Sequence, residues 1–336
     1  MPVAARPAPR LTEVRGPRLE RRLTLHLKGD WGQANLHRVC GWLSQEVVDR
    51  SPAGTQVAVW NGRGGVDNVL AVAHGDVDLA LATPAAFVAM ALDGRGPYCG
   101  DALAGLRALA TLPQRDRLIV ALARDADVSS FEEWRQRRAG LTIATSPDDG
   151  VNHIGFAAQR LMETAGIDRR TLEAWGGGYV EDERPFPCLD LLREGRVDGV
   201  IQEAIMTPHW QRAASERGLR FLQVEGSVLD RLQREFGWPS ATVPAGYFQG
   251  LDEELRTLDF SDFLVIVRED MDDEVAGLLT WCLVETRSAL EAQYRHLQPE
   301  RSPVTWPLDP RAMARTAIPL HPAAARCYEE LRVPLS

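Results

Sequence analysis

The chain has 336 residues, 45% hydrophobic and 25% charged, a composition that can bury a large core and favours two folding units over one. A net charge of −9 without a basic stripe excludes a nucleic-acid partner, and no apolar run is long enough to insert into a membrane. Lys28 is the only lysine, so positive charge rests on arginine, Schiff-base chemistry is disfavoured, and no cofactor is expected.

In chain order, residues 1–22 are rich in Pro and Arg and predict a flexible N-terminal arm. They lack the apolar run of a secretory signal, so the chain as written is expected in the cytoplasm, or in the periplasm if its start is truncated. Residues 23–27 alternate as a strand, 28–32 turn, and 34–48 carry helical spacing at Leu36, Val39, Leu43 and Val47. The unit recurs as strand 56–60, turn 61–65, helix 66–74 and strand 77–82, which predicts a mostly parallel sheet. Apolar strands at 117–123 and 263–268 bracket a block with its own units: strand 141–145, turn 146–150, a helix to Gly166, and strand 199–201. Read as crossovers, they divide the chain into a discontinuous lobe 1 (23–118 plus 263–336) and a continuous lobe 2 (119–262). Open sheets of this kind bind ligands beyond the carboxyl ends of their strands, in a cleft between lobes.

Helix N-termini offer unpaired N–H groups and partial positive charge. Three turns are therefore candidate holders of a carboxylate or phosphate: Gly29-Asp30-Trp31-Gly32, Arg63-Gly64-Gly65, and Ser146 to Asn152 with Asp149. The competing account is that their glycines only permit tight turns and that Asp149 or Asn152 only caps a helix. Thr83 joins the same candidate set. Arg63 can grip a carboxylate through two parallel hydrogen bonds, or lie on the surface as an ordinary arginine. Glu203 ends the strand beginning at Gly199 and should face the cleft, where it can bind an amino group, act as a base, or pair with an arginine. His153 is a proton-exchange candidate beside a structural alternative, and His321, between apolar and Pro residues, reads as structural. Trp31 and Trp175, in loops beside glycines, are candidate stacking platforms, with core packing as the alternative. Neither the histidines nor the five scattered cysteines show metal-ligand spacing, and no disulfide framework is expected.

Four segments carry a resemblance: Asn61-Gly62-Arg63-Gly64-Gly65-Val66-Asp67-Asn68, His74-Gly75-Asp76-Val77-Asp78-Leu79-Ala80, Val243-Pro244-Ala245-Gly246-Tyr247-Phe248, and Ile318-Pro319-Leu320-His321-Pro322-Ala323-Ala324 with Tyr328. In order and spacing they resemble TAXI-type solute receptors of TRAP transporters over about residues 23–330. The resemblance implies a two-lobed periplasmic-binding-protein type II-like fold. It also implies a small anionic ligand, a carboxylate or amino-acid-like molecule, handed to a membrane permease. The first loop departs from the family's Gly- and Thr-rich pattern by presenting Asp30 and Trp31, and segment 175–183 has no counterpart. Family members commonly carry small or apolar residues at Glu203. The alternative from another class is a cytoplasmic enzyme on the same fold, a decarboxylase or dehydratase using Glu203 and His153.

Overall fold

The structure, a computed structural model, describes residues 15–335 apart from Gln33, Cys99 and Met206. Its strands, in chain order, are β1 (Thr24–Lys28), β2 (Gln56–Trp60), β3 (Leu79–Ala82), β4 (Leu106–Leu112), β5 (Arg117–Ala123) and β6 (Thr142–Thr145). They continue as β7 (Gly178–Glu181), β8 (Gly199–Glu203), β9 (Leu219–Phe221), β10 (Ser240–Val243), β11 (Leu255–Asp259) and β12 (Phe263–Arg268). One sheet has the order β2-β1-β3-β12-β4; the other runs β10-β11-β5-β8-β6-β7, with β9 beside β5. Each holds a parallel triplet, β2-β1-β3 and β8-β6-β7, because the connecting helices return the chain to the same sheet edge. The strands that begin each return across the molecule, β5 and β12, lie antiparallel to their neighbours. This is the two-sheet α/β architecture, helices flanking each sheet, that the repeated strand-turn-helix units predict.

The chain crosses between sheets at 113–116 and 260–262. β5 belongs wholly to the second sheet, where Leu118 pairs with Glu203, so Arg117 and Leu118 fall on the far side of the crossover from the rest of lobe 1. The C-terminal segment returns to the first sheet: the Ala108 N–H donates to the Pro319 carbonyl and the His321 N–H to the Ala108 carbonyl. His321 caps the helix Pro322–Glu330 by accepting from the Ala323 N–H, while Nε2 meets the Glu269 carbonyl at 3.1 Å.

The predicted arm divides in two. Residues 1–14 lie outside the described residues, whereas 15–22 are held against the first lobe. Leu19 is buried in its core, the Leu19 N–H donates to the Arg50 carbonyl, and Arg21 pairs with Asp272 at 2.6 Å. Burial of one leucine and one backbone bond order a stretch whose composition alone reads as loose.

The lobes share an apolar core. Phe87, on helix Ala85–Leu92 of the first lobe, stacks on Trp238 of the second with centroids 4.3 Å apart and planes 8° from parallel. Phe260, from the second crossover, meets Phe87 edge-on at 4.9 Å, and Phe156 meets Trp238 edge-on at 5.6 Å. One continuous buried cluster therefore runs from Val66 and Val69 to Phe156 and Leu161.

Candidate functional site

Turns after β1, β2 and β3 face the ends of β6 and β8 across a narrow cavity of about 40 Å³. Asp30, Trp31, Arg63, Gly64, Gly65 and Thr83 line it from the first lobe, and Asn152, His153 and Glu203 from the second. A cavity of that size holds only a few water-sized groups. Two interlobe ties bridge it. The Arg63 guanidinium donates to Asp149 at 2.6 Å and to Glu183 at 2.9 Å, and His153 bridges Thr83 and Tyr98.

At two of the three turns expected to hold an anion, helix-start N–H groups are taken by side chains of the chain itself, and at the third Asp67 takes N–H groups of the turn before its helix. Asp30 accepts from the N–H groups of Leu36 and His37 at 2.9 and 3.2 Å, at the start of helix Asn35–Asp49. Asp67 accepts from Arg63 N–H at 3.0 Å and Gly65 N–H at 3.4 Å. Asp149 accepts from Val151 and Asn152, and Asn152 from Ile154 and Gly155. Short Asp and Asn side chains are favoured beside helix starts because they reach nearby N–H groups, and here they occupy the donors named. Arg63 is likewise committed: its charge is balanced by two carboxylates, so it ties the lobes instead of waiting for a ligand carboxylate.

Several predicted residues stand away from the cavity lining. Gly29 lies where an added Cβ would meet the His37 backbone at 2.7 Å, so it permits close packing of the turn on the helix. Gly32 has φ +79°, a turn requirement. Ser146 is buried and accepts from Gln202 at 3.1 Å. Asp149 sits at the rim with Arg63. Trp175 is at the opposite end of the second sheet: it precedes Gly178, which pairs with Thr142 at the start of β6, and it packs on the apolar core. A tryptophan in a glycine-rich loop has no address until the strand direction is known, and here the direction points it away from the cleft.

Burial sets the protonation of the lining. It pushes Glu203 up to about 7, with the Asp30 charge adding to the effect. It raises Asp116 well above the carboxylate range, aided by Glu203 and opposed by N–H bonds from Arg117 and Ile205. Asp30 is also raised, burial outweighing its two backbone bonds. His153 is held neutral, its pKa lowered to about 4 by burial. Its Nδ1 faces the Thr83 carbonyl at 2.9 Å and must carry the proton, so Nε2 accepts from the Tyr98 hydroxyl at 3.1 Å. Both nitrogens are used, and His153 is a structural tie and not a free proton carrier.

Asp116, Phe260 and Phe263 line the cavity without having been expected there. Asp116 stands between two arginines in a loop, a context that reads as a solvated surface. The available signal was the crossover itself: residues where the chain passes between lobes lie on the cleft floor. Among the described residues no cluster of His, Cys, Asp and Glu is arranged to hold a metal, and no helix is long and apolar enough to cross a membrane.

A profile of the NMT1-like family matches residues 39–331. Among solved structures, XAC2383 from Xanthomonas citri, bound to ATP, is 14% identical, with 91% of this chain and 98% of that chain covered at a TM-score of 0.51. PhnD1 from Prochlorococcus marinus, in complex with methylphosphonate, is 11% identical, with 76% and 80% covered at a TM-score of 0.48. The first likeness shows a shared fold.

Proposed function

The chain belongs to the NMT1-like family, and on that premise we propose that it is a solute receptor whose two lobes close on one small polar molecule. The observation that carries this reading is the narrow cavity between the lobes, lined by polar groups from both and bridged by Arg63 and His153. Closure strips water from the ligand and from these groups together, which makes their hydrogen bonds selective. The narrower TAXI-type reading is supported by the order of its four motifs. On that reading the receptor delivers its solute to a membrane permease of the TRAP type. Of the two ligand chemistries expected, the carboxylate loses several intended holders, since the N–H groups of Leu36, His37, Ile154 and Gly155 and the Arg63 guanidinium are already engaged. The enzyme alternative loses its pair, because both His153 nitrogens are occupied.

The test is thermal stabilisation of the purified protein by amino acids, dicarboxylates, aromatic acids and amines, with mass analysis of each stabilising compound. A true solute raises Tm and is recovered unchanged. At a hundredfold excess over Kd, native-state binding adds about 2.7 kcal/mol. A decarboxylated or dehydrated product would replace the receptor reading with the enzyme.

A further inference from the structure

The polar atoms of the cavity are unevenly matched. Asp116 is 1% exposed; one carboxylate oxygen accepts from Arg117 N–H at 2.7 Å and Ile205 N–H at 2.9 Å, while the other is buried with no partner among the described residues. Glu203 is 6% exposed and lines the same cavity, its backbone carbonyl accepting from the Trp210 indole N–H at 2.8 Å. Two buried acidic side chains therefore line one space, and one of them has an oxygen without a partner.

Nearby cations are committed elsewhere. Arg63 is held by Asp149 and Glu183, Lys28 pairs with Asp67 at 3.0 Å, and Arg117 donates to Asp259 at 2.9 Å. His153 is neutral with both nitrogens engaged. His37 lies beside Asp30, whose carboxylate it favours, rather than beside Glu203. The remaining walls include Trp31, Phe260 and Phe263, whose ring faces carry negative potential. An anion entering this space would meet three carboxyls, while the N–H groups of Leu36, His37, Ile154 and Gly155 at the adjoining helix starts are already bonded to Asp30 and Asn152. A positively charged donor would meet the unpartnered Asp116 oxygen beside aromatic side chains, and Trp31 Nε1 and Thr83 Oγ1 on the same lining are without a partner as well.

We propose that the ligand presents a protonated nitrogen, an alkylammonium or amidinium group, to the carboxylates of Asp116 and Glu203, with Trp31, Phe260 and Phe263 walling its apolar side. The proposal deepens the receptor reading and rests on it. Glu203, pushed up to about 7, and Asp116, raised well above its usual value, must both ionise to receive a cation. Binding then releases up to two protons below neutral pH and tightens as pH rises. A neutral or anionic ligand would leave the carboxyls protonated, and its binding would be flat or weaken.

The experiment compares ethylammonium, acetamide and acetate at equal concentration and constant ionic strength, reading Tm at about pH 7.5 and about pH 5.5. Proton release on binding is measured for the wild-type protein by titration calorimetry in buffers of different ionisation enthalpy. Ethylammonium alone should raise Tm, with affinity falling up to roughly tenfold per pH unit for each carboxyl that must ionise below 7. The shift should vanish in Asp116→Asn/Glu203→Gln, a pair of changes that removes buried charge and leaves packing volume unaltered. If acetate or acetamide stabilises instead, or ethylammonium stabilises the double variant equally, the receptor reading stands and the cation proposal is overturned. If none of the three shifts Tm, the cation proposal also fails. A solute from the wider panel that does shift Tm would then still support the receptor, and none doing so would end both.

Discussion

Burial holds the Glu203 carboxyl protonated up to about 7 and the His153 imidazole neutral down to about 4, and the two respond to acid in opposite directions. For Glu203 the folded value lies above the unfolded one, so its contribution to stability is complete below about 4.5 and is lost as pH rises through 7. Asp262, pushed up to about 6 by burial, and the raised Asp116 and Asp30 act with the same sign. His153 has a lowered folded value, so its contribution is complete above about 6.5 and is lost as pH falls toward 4. Each of the two is worth about 3 kcal/mol across its window. Urea unfolding of the unliganded protein should show stability declining from about pH 5 to about pH 7, by less than the carboxyls alone require. Glu203→Gln should shrink that decline and His153→Asn should enlarge it. An unchanged profile in Glu203→Gln would mean that this carboxyl is solvated in the native protein.

The helices show how one sequence signal can serve two ends. A glycine turn leading into a helix marks a ready anion site, and Asp or Asn at the same place marks a cap; the two readings differ only in whether a side chain reaches the donors. Asp30 and Asn152 do reach them, while Asp67 takes N–H groups of the turn before its helix. Helix Ala85–Leu92 raises a different matter, because its Phe87 leaves its own lobe to stack on Trp238. Phe87→Ala should cost about 3–5 kcal/mol, the range for a buried aromatic truncation, read from the shift in urea midpoint at constant m. The Arg63 tie is partly exposed, at 27% for the arginine and 32% and 48% for its partners. Arg63→Met should therefore change stability by less than about 1 kcal/mol. It should speed ligand release instead, measured by stopped flow with whichever solute stabilises the protein. A large stability loss without a change in release would reassign Arg63 from latch to scaffold.

At the scale of the molecule, the shared core makes the two lobes one cooperative unit. Calorimetry should give a single transition for the wild-type protein, with calorimetric and van't Hoff enthalpies in agreement. Phe87→Ala, by removing the stack that joins the cores, should broaden that transition or split it. Two resolved transitions in the wild type would show that the apolar contact between lobes contributes little. The repeated strand-turn-helix units and Glu203 at a strand end follow from local pattern. Periodicity and turn chemistry act between residues close in the chain, so they can be read from order alone. Asp116 facing Glu203, Arg63 committed to Asp149 and Glu183, Trp175 turned away, and Leu19 anchoring the first described residues required the tertiary structure. Each depends on strand direction, register or burial across tens of residues, and whether a carboxylate is paired, capped or left unpartnered is decided only when distant segments meet.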